Sequence, residues 1–181
     1  MTSPADAHVH DTLAPHSHER ERERETLDGA LFGDDQPCFG CSPQHPVGFR
    51  LRFERLEGEA VSTCFTPTAD HQGPPGIMHG GLVTTLADEL AAWVIIAVLG
   101  KFGFTVQIEA KFKKAIRVGE AVEGRAWLVR NGGRVVRVAV SLAQRGEEAF
   151  GGEFSFALLD RGGAERLLGE ALPEHYARFT R

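Results

Sequence analysis

The chain has 181 residues, 42% hydrophobic and 25% charged, and a formal net charge of −5. That length suits one domain with a real core, and the composition is that of a globular chain rather than a fibrous or membrane-embedded one. The negative balance excludes a general nucleic-acid binder, which needs a surplus of Lys and Arg to displace counterions from phosphates.

Residues 1–30 carry His8, His10, His16 and His18 and a run from Glu19 to Glu25 in which Glu and Arg alternate. So few apolar groups cannot offset the entropy lost on ordering, and a disordered polar tail is expected there. The N-terminus lacks the charged-then-apolar order of a secretory signal, so the expected compartment is the cytoplasm, where disulfides are rare. Cys38 and Cys41 have the Cys-x-x-Cys spacing of a metal or redox pair. With no second pair to complete four ligands, no metal is expected.

From Phe49 onward apolar residues recur with period two: Phe49, Leu51 and Phe53 alternate with Arg50, Arg52 and Glu54, which predicts a half-buried strand. Glu57-Gly58-Glu59 then signals a turn into a second strand that runs to about Phe65. A loop rich in Gly and Pro follows and ends at Gly81. Leu82–Leu99 contains no Gly or Pro and is too long for a strand, so it predicts a helix of about five turns, apolar nearly all round and therefore buried. Its unbroken apolar run, Leu90–Leu99, falls short of the roughly 20 residues that a membrane span needs.

Four further strands are expected. In the first, Val106, Ile108, Ala110 and Phe112 are expected to face inward, with Gln107, Glu109, Lys111 and Lys113 outward. Asn131-Gly132-Gly133 marks a tight hairpin, Val136, Val138, Val140 and Leu142 line the return strand, and Phe154, Phe156 and Leu158 mark the last. One buried helix beside about six strands joined by hairpins predicts an α+β domain in which an antiparallel sheet wraps the helix.

Two adjacent carboxylates, Asp88 and Glu89, interrupt the apolar helix. About 100° separates them around the axis, so they cannot share one environment. A buried carboxylate is costly unless it is paired, which makes at least one of them a functional candidate. The competing reading for Glu89 is an ion pair with Lys111 or Arg117 at a subunit contact. His79-Gly80-Gly81 precedes the helix, where glycine admits a ligand close to backbone N–H groups at the positive end of the helix dipole. Such N–H groups form an oxyanion site. Asp88 stands roughly two turns further on, a spacing expected to let its bound water meet a carbonyl held at the helix start.

The stretch HQGPPGIMHGGLVTTLADE resembles the central motif of hotdog-fold acyl-CoA thioesterases, the PaaI-like and THEM-like group of the 4-hydroxybenzoyl-CoA thioesterase superfamily. CFGCSPQHPVGFRLRF is similar to the opening segment of many relatives, so the resemblance spans residues 37–159 and leaves 160–181 as a C-terminal extension. It implies a hotdog fold, subunits paired sheet edge to sheet edge as a homodimer or homotetramer, and active sites between them. The implied partner is an acyl-CoA substrate. Coenzyme A is then part of the substrate, no separate cofactor is needed, and neither nucleic acid nor membrane is a partner.

Carried over by position, the resemblance makes Asp88 the catalytic carboxylate, acting as general base or as nucleophile. Gly80 becomes the N–H donor to the thioester carbonyl, and His79 the residue that places the loop. Relatives often hold Asn or Gln where this chain has Gly73, so adjacent Gln72 is the candidate for that role. Thr105 is the nearest match to a Ser or Thr that relatives supply from the partner subunit to orient water. Gly81, Met78 and Glu89 are the neighbouring substrate-binding candidates, and Phe65, Ile77 and Trp93 are candidates for bordering the acyl group. Lys113 and Arg134, among Lys111, Lys114, Arg117 and Arg137, are candidates for the CoA phosphates. The alternative is a non-catalytic acyl-CoA or small-ligand binding hotdog protein. A hydratase or dehydratase ranks below both, because His79 lies in the glycine turn.

Overall fold

Helix α1 (Gly80–Val94) continues through a π-helical turn, Ile95–Leu99, and stops at Gly100, whose φ of 61° breaks the helix. In this computed structural model, which describes residues 26–33 and 35–180, the helix lies against a seven-stranded sheet. Val83, Leu86, Ala87, Leu90, Ala91 and Val94 recur at helical spacing and are buried. Residues Gly80–Leu99 span 20 positions with mean hydropathy 1.9, long and apolar enough for a membrane crossing by length and composition. Here they form the core helix under the sheet, a placement that passes the same test.

The strands are β1 (Thr26–Asp28), β2 (Arg52–Leu56), β3 (Ala60–Phe65), β4 (Gly103–Phe112), β5 (Val122–Asn131), β6 (Val135–Gln144) and β7 (Glu147–Leu158). Their order in the sheet is β1-β2-β3-β5-β6-β7-β4, every neighbouring pair antiparallel. The expected hairpins are present. Arg145 and Gly146, at φ 57° and 74°, link β6 to β7 in the paired positive-φ conformation that suits strand twist. Val136, Val138, Val140 and Leu142 of β6 and Phe150, Phe154 and Phe156 of β7 face the helix and are buried. At Gly124 of β5 an added Cβ would lie 2.8 Å from Leu90 Cδ2, so glycine sets how closely sheet and helix approach.

Four expectations need correction. Residues 1–25 of the expected tail lie outside the described residues, but Thr26–Asp28 pair with β2, with Leu27 opposite Phe53. A three-residue edge strand is too short to show a period. The helix begins at Gly80 rather than Leu82, because His79 Nδ1 accepts the Gly81 N–H at 3.0 Å and draws both glycines into the first turn. The C-terminal extension is part of the core: after α2 (Arg161–Leu168) and α3 (Glu174–Ala177), Tyr176 and Phe179 sit 4.6 and 5.2 Å from the Phe32 ring. Finally, β4 is an edge strand, and its expected inward residues Val106, Ile108 and Phe112 are 58%, 42% and 59% exposed. Alternation shows which face is apolar, not whether anything covers it.

Two stability measurements test this packing. Phe53 stacks on Trp93 at 4.6 Å, both fully buried, so Phe53→Ala is expected to cost about 3–5 kcal/mol in denaturant unfolding. His79→Ala should cost about 1 kcal/mol, and His79→Asn should recover most of it if capping is the cause.

Candidate active site

The two carboxylates of α1 do face different surroundings. Asp88 is half-buried beside β4, where Thr105 Oγ1 donates to its Oδ1 at 2.7 Å. Burial raises the Asp88 pKa above the usual carboxylate range, and the Thr105 hydrogen bond partly opposes that rise. Thr105 reaches the carboxylate through a bulge. Its partner on β7 is Phe156, while Gln107 pairs with the adjacent Ser155, so Val106 is the extra residue that re-aims the strand. The hydroxyl therefore comes from the same chain as the Asp88 it touches, not from a partner as the resemblance implied.

At the start of α1, the Gly81 N–H is taken by His79 and is not a free ligand donor. The Gly80 N–H has no acceptor among the described residues, as the first turn of a helix leaves it. Phe112 of β4 borders this point: an added Cβ on Gly80 would stand 3.5 Å from Phe112 Cε1. The pattern placed Phe112 on an inward face but did not mark it for the site.

Asp88 and Gly80 of one chain are poorly spaced to act on one carbonyl. Eight residues of helix separate them by about 12 Å. A hydrogen-bonded water, its approach to the carbonyl carbon, the C=O bond and the N–H···O contact together span about 10 Å at full extension. That spacing favours an oxyanion donor supplied to Asp88 from elsewhere.

The remaining candidates divide. Gln72 Oε1 accepts the Gly76 N–H at 3.2 Å and so braces its own loop. Met78 is 3% exposed and Trp93 wholly buried, so both are core residues, with Phe65 buried and Ile77 half-buried nearby. Lys113 is paired with Glu148, Lys114 with Glu147 and Arg137 with Glu153, whereas Arg134 is exposed at the β5–β6 hairpin. A groove lined by Arg52, Ser62, Cys64, Glu123, Arg125 and Ser141 lies on the outer face of the sheet and contains none of the candidates.

Glu89 turns into the chain. Its Oε1 accepts from Trp93 Nε1 at 3.1 Å, and Cys38 Sγ lies 3.6 and 3.5 Å from its two oxygens. Within the chain no Lys or Arg pairs with it among the described residues, whereas the competing reading placed such a pair, with Lys111 or Arg117, at a subunit contact. Burial raises its carboxyl pKa. The separation of 51 positions from Cys38 to Glu89 explains why no spacing rule linked them.

Residues 75–149 match the model of the thioesterase superfamily. No curated protein matches the chain. Among solved structures, a thioesterase superfamily protein is similar with a TM-score of 0.62 at 24% identity, over 80% of this chain and 69% of that one. A hypothetical thioesterase from Streptococcus pneumoniae, solved with coenzyme A, gives 0.56 at 21% identity, over 60% and 87%. Zebra fish thioesterase superfamily member 2 gives 0.58 at 21% identity, over 64% and 89%. The sheet wrapped on one long helix is the hotdog fold of these structures, and this is a hotdog-fold chain whose residues 75–149 match the thioesterase superfamily.

Proposed function

We propose that the chain hydrolyses an acyl-CoA thioester in the cytoplasm, as a homodimer or a homotetramer built from such dimers. The observation that carries this reading is Asp88, a half-buried carboxylate on an apolar helix, held by the Thr105 hydroxyl at 2.7 Å. The superfamily match and the coenzyme A in the pneumococcal structure support the substrate class.

Two chains pairing through β4 would cover its exposed apolar row and solve the distance problem. Asp88 and Thr105 of one chain then face the Gly80 N–H of the partner subunit. Asp88 takes a proton from water, the oxygen adds to the thioester carbon, and the oxyanion rests on that N–H. Collapse breaks the C–S bond, and the proton returns from Asp88 to the departing CoA sulfur. Attack by Asp88 itself, through a mixed anhydride, would use the same groups. Arg134 and its exposed neighbours are the proposed contacts for the CoA phosphates.

A non-catalytic ligand-binding role has one observation in its favour: Gly73 offers no polar side chain, and Gln72 is engaged within its loop. Tight acyl-CoA binding without release of free thiol would establish that role instead.

Asp88→Asn is expected to cut turnover of short, long and aromatic acyl-CoAs by about 10²–10⁴-fold, read as free thiol. Its stability should move the other way. A carboxylate with a raised folded-state pKa loses stability as pH climbs from the ordinary range through the raised value, so at neutral pH the neutral Asn should be at least as stable in thermal unfolding. Unchanged turnover would rule out the Asp88 mechanism.

The shared site is tested by mixing two inactive variants. Gly80→Pro removes the N–H at a position where proline suits a helix start, after a His79 already extended at φ −62° and ψ 132°. Mixed in equal amounts with Asp88→Asn and allowed to exchange subunits, it should restore about a quarter of wild-type activity, since half the dimers carry one intact site. No restoration would mean that the two residues act within one chain.

A further inference from the structure

Cys38, Cys41 and Glu89 take no part in the hydrolysis described above, yet their ligand-capable atoms lie within 4.8 Å of one another. Tetrahedral zinc, with Zn–S near 2.3 Å and Zn–O near 2.1 Å, sets sulfur and oxygen ligands about 3.6 Å apart. Cys38 Sγ lies 3.6 and 3.5 Å from the Glu89 oxygens. The groups around the trio hold it in place. Trp93 Nε1 fixes Glu89 Oε1 at 3.1 Å. Buried Gln36 accepts the Cys38 N–H through Oε1 at 2.9 Å, and its Nε2 faces Cys41 Sγ at 3.9 Å. Hydrogen bonds of this kind orient the ligands of metal sites. At Gly40, between the cysteines, an added Cβ would fall 2.4 Å from the Glu89 carboxylate carbon, so only glycine lets the Cys-x-x-Cys backbone close onto the acid.

We propose that Cys38, Cys41 and Glu89 bind one Zn²⁺, with water in the fourth position, and so clasp the opening segment to the central helix. On binding, the two thiols lose their protons to solvent as two Zn–S bonds form, and the ion supplies the positive charge that no Lys or Arg brings to Glu89 among the described residues. Two sulfur ligands select against Mg²⁺ and Ca²⁺, which prefer all-oxygen sites. The site is independent of the thioesterase reading.

The test is Co²⁺ titration of the full-length, reduced chain. His8, His10, His16 and His18 also offer nitrogen ligands, so the readout must be specific for sulfur: the thiolate-to-cobalt charge-transfer band, with the intense visible bands of tetrahedral Co²⁺. One equivalent should develop these bands and one equivalent of Zn²⁺ should bleach them. The Cys38→Ser/Cys41→Ser double variant should lose the charge-transfer band, while Cys64→Ser, at an exposed thiol, should keep it. Glu89→Gln, nearly isosteric, should keep the band but weaken binding more than about 10-fold. The proposal is overturned by absence of the band in the wild-type chain, by its survival in the double cysteine variant, or by unchanged affinity in Glu89→Gln.

Discussion

An apolar helix must be covered on most of its surface, and α1 is covered by curving β3, β5, β6, β7 and β4 across it. Much else follows from that burial. Gly124 has no side chain because Leu90 comes within 2.8 Å of where its Cβ would be, and β6 and β7 turn their Val, Leu and Phe residues toward the same helix. Any carboxylate on such a helix is conspicuous, because it must find hydrogen bonds in a place built to exclude water.

The helix carries two, and they satisfy that requirement differently. Asp88 meets the Thr105 hydroxyl next to an edge strand whose apolar residues are exposed in the single chain. Glu89 meets an indole and a thiol, with a second thiol alongside, in the packing between the opening segment and the helix. The first environment is half of a site, open toward whatever covers β4. The second is closed within one chain.

Much of this was legible in the residues. Period-two runs marked β2, β6 and β7, Asn131-Gly132-Gly133 marked a hairpin, and the absence of Gly and Pro from Leu82 to Leu99 marked the helix. The misses share a cause. Three-residue β1 is too short for a pattern, β4 shows alternation without burial because its apolar residues are left uncovered in the single chain, and Tyr176 and Phe179 join the core from a segment that reads as polar. Periodicity describes an element's own faces, whereas burial is a property of what lies opposite.

The sequence by itself determined the order of elements, the buried helix and the divergence of Asp88 from Glu89, since these follow from local spacing and helix geometry. Only the tertiary structure decided which acid meets Thr105, 17 residues away, and which meets Cys38, 51 residues away. Those contacts depend on a one-residue bulge in β4 and on a glycine close approach at Gly40, and neither has a periodic signature.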